Sequence, residues 1–415
     1  MKLSDIDLLD RDAFLDGPPH EWFTFLRNNA PVYNHPAPYG EGFWVITKYD
    51  DVVAVNRNAK TFSSDQHKGG VVGMDNPPPG FEPVGMQAMQ DDPNGPSLML
   101  TMDPPEHTRY RKLVNKGFTP RMINALEPKL RETTERIVDD AIAKGELDFV
   151  IDVAAELPLQ VIADLLGVPQ EDRHDLFNWS NQMIAGGDDP EYTVSDDQVG
   201  DAYIGMFGYA QKLAEQRRAE PHDDIVTTLL NAEVDGHQLS DMDFNMFFLL
   251  LSVAGNETTR NALSHGMNAF LENPEQYQAL VDDPSLVGGA TEEVLRWASP
   301  VMYFRRNATE DIELSGQQIK AGDKVSIWYA SANRDEQYFK DPFTFDIQRT
   351  PNDHIAFGGG GPHFCLGASL ARMEIRVLFE ELSKRAPKIE ALGPPDRLRS
   401  NFIGGIKHLP VRLGK

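Results

Sequence analysis

One cysteine and its surroundings carry the most specific chemistry in the chain. The run Phe357-Gly358-Gly359-Gly360-Gly361-Pro362-His363-Phe364-Cys365-Leu366-Gly367 sets a lone thiol after a glycine-rich loop, ahead of an amphipathic helical pattern from about Leu366 to Lys384. A phosphate loop would close on Gly-Lys-Ser/Thr, which is missing, and zinc needs three or four Cys/His ligands, whereas the chain has 1 Cys. What remains is a thiol without a disulfide partner, placed where helix amides stabilise a thiolate. Glycines before it let backbone N–H groups approach the sulfur. Such a thiolate suits an axial ligand to a haem iron. The plainer alternative is a buried free cysteine acting as a small hydrophobe.

Three further groups have spacings that could serve chemistry. In Glu293-Val294-Leu295-Arg296 the acid and base share one helix face, and Arg349 could complete a buried carboxylate–guanidinium cluster. Ala254-Gly255-Asn256-Glu257-Thr258-Thr259 falls mid-helix, where glycine costs about 1 kcal/mol relative to alanine and needs a reason. A groove there would admit a flat cofactor, and the Glu257–Thr258 pair could pass protons into it. The bland reading has Glu257 solvated and Thr258 back-bonded to a carbonyl. In His107-Thr108-Arg109-Tyr110-Arg111, His107 and Arg111 share a face, as two carboxylates would require.

Taken together, and in this order, the four groups resemble the cytochrome P450 superfamily, from Trp44 to the C-terminus. The resemblance implies haem b (iron protoporphyrin IX) with Cys365 as metal ligand, and propionates held by His107, Arg111, Arg306 (in Arg306-Asn307-Ala308-Thr309) and His363. It implies Glu257 and Thr258 as the catalytic proton relay, with Glu293, Arg296 and Arg349 folding the haem-binding core. The usual loop has Phe seven residues before the Cys, whereas Phe357 stands eight before Cys365. A similar lengthened loop occurs in branches that act on sterol side chains and branched lipids, and Asn401 to Lys407 looks like members that oxidise steroids and terpenoids. By family position the substrate would meet Val253, Ala254, Val301, Met302 and Phe402.

These groups need elements to position them. Ser240 followed by Asp243 predicts a capped helix running to Pro274, about 33 residues and ~50 Å long, enough to cross a whole domain. A second helix starts at Asp283-Pro284 and ends before Pro300. Phe43 to Thr47 reads as a strand, Tyr49 to Asn58 as a short helix, and Ile312 to Tyr329 as a hairpin and an alternating strand. From Ser64 to Leu100 the pattern is irregular, with Met74, Met86, Met89 and Met99 suited to adaptable apolar contacts. The sum is a mainly α protein with a smaller β part and a long central helix over the haem, as one domain over 1–415.

Composition narrows the function classes. Lys+Arg 39 against Asp+Glu 64 leave a formal net charge of −25, which repels nucleic acid and anionic lipid. Hydrophobic residues at 40% exclude global disorder, and the apolar run Met246 to Ala254 is about half a membrane span. A cytoplasmic protein is expected. The reading is a haem-thiolate monooxygenase that inserts one atom of dioxygen into a C–H bond of an apolar substrate, a steroid side chain, terpenoid or branched lipid. The alternatives are a haem-thiolate peroxygenase or reductase, and a haem-binding sensor or carrier. Arg109, Arg111, Lys112, Lys116 and Arg121, with Arg372 and Arg376, form an expected basic docking surface. Its partner would be an acidic iron–sulfur ferredoxin, reduced by a flavoprotein.

Overall fold

The computed structural model describes residues 1–78, 96–184, 189, 191–192, 195–234 and 236–414. The helices that build the site are α1 (Tyr49–Arg57), α2 (Glu106–Val114), α3 (Pro120–Lys144), α4 (Glu156–Leu166), α5 (Arg173–Ile184), α6 (Asp196–Ala219), α7 (Asp241–Glu272), α8 (Val287–Ala298) and α9 (Ala368–Arg385). Helix α7 starts as its sequence demands. Ser240 accepts from the Asp243 N–H while the Asp243 carboxylate takes the Ser240 N–H, a closed capping box. It runs 32 residues, buried along most of its length, which fits a helix apolar nearly all round. Phe270 of α7 meets Phe379 of α9 at 5.2 Å and Phe345 at 5.3 Å, so the helix is clamped by edge-to-face rings.

The smaller part is a five-stranded sheet of β1 (Val32–His35), β2 (Phe43–Ile46), β3 (Phe62–Ser63), β4 (Tyr303–Ala308) and β5 (Lys324–Trp328), in the order β1-β2-β5-β4-β3. Strand β2 pairs with β5 in parallel, Trp44 opposite Val325, and β4 pairs with β5 antiparallel, Tyr303 opposite Trp328. The sequence suggests alternation along β5, but Val325 to Trp328 are buried on both faces, as a central strand requires. Tyr329 already belongs to a short helical turn. The expected hairpin is present, with Ile312 opposite Ile319 and a left-handed Ser315–Gly316 turn.

Part of the irregular segment is fastened to the sheet. The Arg305 N–H donates to the Val71 carbonyl at 2.7 Å and the Asn307 amide to Gly70 at 2.9 Å. Met74 and Met99 are buried as the apolar reading requires, while Met86 and Met89 lie outside the described residues. Among the described residues no helix is long and apolar enough to cross a membrane.

Candidate active site

The start of α9, the middle of α7, β4 and α2 surround one cavity, with about 1490 Å³ of empty space, open solvent at its mouth included. Cys365 faces it from the loop before α9, so its open side is the cavity and not the outer surface. The Cys365 N–H donates to the Phe357 carbonyl at 3.0 Å, closing the loop on itself. Gly361 makes that closure possible. Its φ is +81°, and a Cβ there would meet the Asn56 carbonyl of α1 at 2.4 Å. Burial pushes the Cys365 thiol up, against the Gly367 and Ala368 N–H groups and the charges of Arg111 and Arg372. The helix terminus read from the sequence is present, but burial outweighs it. A coordinated cation would deprotonate the thiol outright.

Beside the thiol stands a basic cluster with its hydrogen bonds incomplete. His107 and His363 lie with ring centroids 4.2 Å apart, and both line the cavity together with Arg111 and Arg306. His107 Nδ1 and His363 Nε2 are buried with no hydrogen-bond partner among the described residues. Burial, with Arg111 added, lowers His107 to about 4. Burial, then Arg306, His107 and Arg111, lowers His363 to about 2. Arg306 is 3% exposed, yet its guanidinium donates only to the Arg305 carbonyl among the described residues, at 2.7 Å. Two cations and two neutral imidazoles gathered round a space are a demand for anions.

The α7 wall differs from its sequence reading in one respect. Gly255 and Thr258 line the cavity, but Glu257 does not. Its carboxylate takes Arg260 at 2.5 Å and Asn261 at 2.8 Å, and it is 4% exposed. The solvated-acid half of the plainer alternative does not fit, since Glu257 is buried and paired. Thr258 does back-bond, donating to the Ala254 carbonyl at 2.7 Å, while its oxygen still fronts the cavity. Gly255 has a packing reason: a Cβ would meet Ile162 of α4 at 2.5 Å. The glycine thus lets a neighbouring helix close in.

The Glu293 cluster lies apart from the cavity and is complete. Arg296 clasps Glu293 at 2.7 and 2.8 Å, Arg349 adds Nε at 3.2 Å, and Asn352 and the Asp346 N–H fill the remaining lone pairs. Arg296 also donates to the carbonyls of Asn333, Pro342 and Thr344. Both members of the pair are 0% exposed, which a buried ion pair tolerates only with such full satisfaction.

Of the five substrate-facing residues expected from the sequence, Ala254 and Val301 line the cavity, whereas Val253, Met302 and Phe402 do not. Val253 is five residues before Thr258, about 140° round the helix from it. Met302 follows Val301 in extended chain, so it points the opposite way, into a core with Trp328 and Phe43. Phe402 packs on Tyr303 and Phe304, at 5.4 and 5.8 Å between centroids. The residues missed are Phe247, Leu250, Leu251, Phe118, Leu100 and Phe304. The first three were readable, since stepping back from Thr258 by four, seven, eight and eleven gives Ala254, Leu251, Leu250 and Phe247.

Comparison with known proteins agrees with this geometry. The profile of the family "Cytochrome P450" matches residues 199–384. A steroid C26-monooxygenase of Rhodococcus jostii (strain RHA1) is 46% identical over 411 residues, covering 98% of this chain and 84% of that one. A methyl-branched lipid omega-hydroxylase of Mycobacterium tuberculosis (strain ATCC 25618 / H37Rv) is 44% identical over 421 residues, covering 99% and 95%. Among solved structures, Mycobacterium marinum cytochrome P450 CYP268A2 in complex with pseudoionone superposes with a TM-score of 0.87 at 38% identity, over 96% of both chains. CYP109E1 from Bacillus megaterium in complex with testosterone gives 0.82 at 34% identity, over 96% and 100%.

The chain belongs to the cytochrome P450 family. It is a monooxygenase whose cofactor is haem held by a cysteine thiolate. The residues present fit that group: the chain's 1 Cys faces the cavity, and the unpartnered nitrogens of His107 and His363, with Arg306, stand where two propionates would be wanted.

Proposed function

We propose that this chain hydroxylates a C–H bond of a long apolar substrate, a steroid side chain, terpenoid or methyl-branched lipid, with Cys365 as the residue that would hold the haem iron. The observation that carries the reading is one cavity shared by the only thiol, a basic cluster without an ion pair among the described residues and an apolar wall of Phe247, Leu250, Leu251 and Phe304. Relatives named for steroid and branched-lipid oxidation support the substrate class. When bound, the haem supplies dioxygen activation, which an electron-rich thiolate favours. His107, Arg111, Arg306 and His363 would hold the propionates. The apolar wall excludes water and orients the substrate chain. Thr258, its proton engaged by Ala254, presents an oxygen that accepts a hydrogen bond from the cavity. Glu257 takes part in proton delivery only when its carboxylate leaves Arg260, so the relay opens and closes with that ion pair.

Electrons come from a separate protein, proposed as an acidic iron–sulfur ferredoxin served by a flavoprotein reductase. Its docking surface is smaller than the sequence suggests. Arg372 is bound to Glu292 at 2.7 Å, Arg376 to Glu127 at 2.9 Å, and Lys116 to the Glu233 carbonyl at 2.5 Å, while Arg111 turns inward. Of the expected set there remain exposed Arg121, Arg109 at 3.8 Å from Glu106, and Lys112; Arg109 and Lys112 line an open recess beside Pro362 with Arg57, Lys60 and His237, with no acid in its described lining. Binding spectra against steroids, terpenoids and fatty acids test the substrate class. A spin-state shift with a sterol or branched chain at low concentration is expected, and a response confined to small polar ligands overturns it.

A further inference from the structure

Away from the cavity, one histidine has both ring nitrogens on carboxylates. His408, in the strand Ile406–His408, places Nδ1 at 2.6 Å from Asp148 and Nε2 at 2.9 Å from Glu191. A neutral imidazole has one N–H and one lone pair, so it donates to only one of two ionised carboxylates. Holding both requires the imidazolium. Lys407 reinforces the junction, reaching Asp189 at 3.2 Å, Glu191 at 3.0 Å and Asp396 at 3.5 Å. Asp396 stands opposite His408 on the neighbouring strand, and Asp189 accepts the N–H groups of Arg399 and Glu191. Behind Asp148, Asp152 accepts its N–H at 3.3 Å and is paired with Lys144. At the junction itself four carboxylates, Asp148, Asp189, Glu191 and Asp396, face two cations. Loss of the histidine proton leaves one. The parts it joins bear on the cavity. Asp189 and Glu191 lie in the chain between α5 and α6, and Tyr209 of α6 meets Phe248 of α7 at 6.2 Å, beside the wall of Phe247, Leu250 and Leu251. On the other side, Ile406 gives its N–H to Asn261 of α7 at 3.3 Å.

We propose that His408 is a proton-operated latch: its imidazolium fastens the chain between α5 and α6 to the C-terminal strand, and loss of the proton releases Glu191. Burial disfavours the charged ring, but Asp148 and Glu191 outweigh it and hold His408 above its ordinary 6.5. Because the folded value is raised, the docking contribution is complete below pH 6.5 and is lost as pH rises through the raised value. Lys407, held above its ordinary value against burial by Glu191 and Asp189, keeps its charge through that range. The opened latch is therefore loosened and not abolished. Resting on the monooxygenase reading for this step, a loosened α5–α6 connection slackens the support of the apolar wall, and substrate leaves faster as pH rises.

The test uses the haem-loaded protein and begins without substrate. The Arg399 N–H is donated to Asp189 at 2.9 Å, so its hydrogen-exchange protection factor reads docking directly. In wild type that factor should fall by about five-fold between about pH 6 and about pH 9, the size of one partly exposed ion pair. His408→Gln should show the low protection at both pH values. His408→Arg, with a permanent charge and several donors, should show the high one at both. Glu191→Gln should remove the pH dependence from the other end of the contact. The dissociation rate of cholesterol, followed by its spin-state signal, should rise in step with the loss of protection in wild type and ignore pH in all three variants. Wild-type protection indifferent to pH overturns the proposal, as does the same pH dependence in His408→Gln. A release rate that ignores pH while protection changes overturns the control of release. The exchange measurement needs no substrate, which separates failure of the latch from failure of the substrate reading.

Discussion

Two buried charge clusters flank the same cysteine loop, and they differ in completeness. Around Glu293 and Arg296 each polar atom of the pair has a partner, from Arg349, Asn352, the Asp346 N–H and three carbonyls. Around His107, Arg111, Arg306 and His363 the inventory stays open, with two unpartnered imidazole nitrogens and a buried guanidinium lacking a carboxylate among the described residues. Similar residue types therefore serve two ends. A closed cluster holds segments of chain together, and an open one holds something that is not chain.

The sharpest way to break this contrast is to open the closed cluster. Glu293→Ala leaves Arg296 and Arg349 buried without their carboxylate, and should destabilise the fold by about 3–5 kcal/mol. Thermal unfolding with and without haem reads this directly, and a loss seen only in the haem-loaded form would contradict it. Arg306→Leu should do the reverse. It removes a buried cation that has no partner in the protein, so the haem-free fold should be no less stable. Haem affinity should fall by about 10–100-fold, the range seen when groups supporting a bound metal are removed. Haem transfer to an acceptor protein measures that loss.

Much of this was legible in the sequence, and what escaped did so for identifiable reasons. Ser240, Asp243 and Pro274 bound α7 because capping is local chemistry. The pairing of β2 with β5 joins opposite ends of the chain, and local pattern does not announce such contacts. The cavity lining departs from the family positions where helical geometry decides, as at Val253, or strand alternation, as at Met302. Arg260, three residues after Glu257, already signalled an ion pair that would draw the acid away from the cavity. Glu374 was visible as an acid four residues after Leu370 on a buried face, but only the structure shows its Oε2 buried without a hydrogen-bond partner among the described residues.

Smaller effects sharpen the picture. Thr258→Ala removes a cavity-facing oxygen without opening either cluster. Haem content and substrate binding should stay near wild type while NADPH consumption yields peroxide in place of product, and unchanged product per NADPH would remove Thr258 from proton handling. Lys60→Glu with Lys112→Glu reverses the recess outside the chamber. The ferredoxin association rate should drop by about ten-fold at low salt and converge with wild type as salt rises. A rate indifferent to both places docking elsewhere.

The open cluster is read as a haem chamber because Cys365 faces it. The reduced protein with carbon monoxide, compared between wild type and Cys365→Ser, puts this to the proof. The wild type should give the red-shifted Soret band of a thiolate-ligated haem and the serine variant should lose it, a hydroxyl being a harder and far less acidic ligand. A wild-type band without the red shift, or a shifted band that survives in Cys365→Ser, would contradict the assignment.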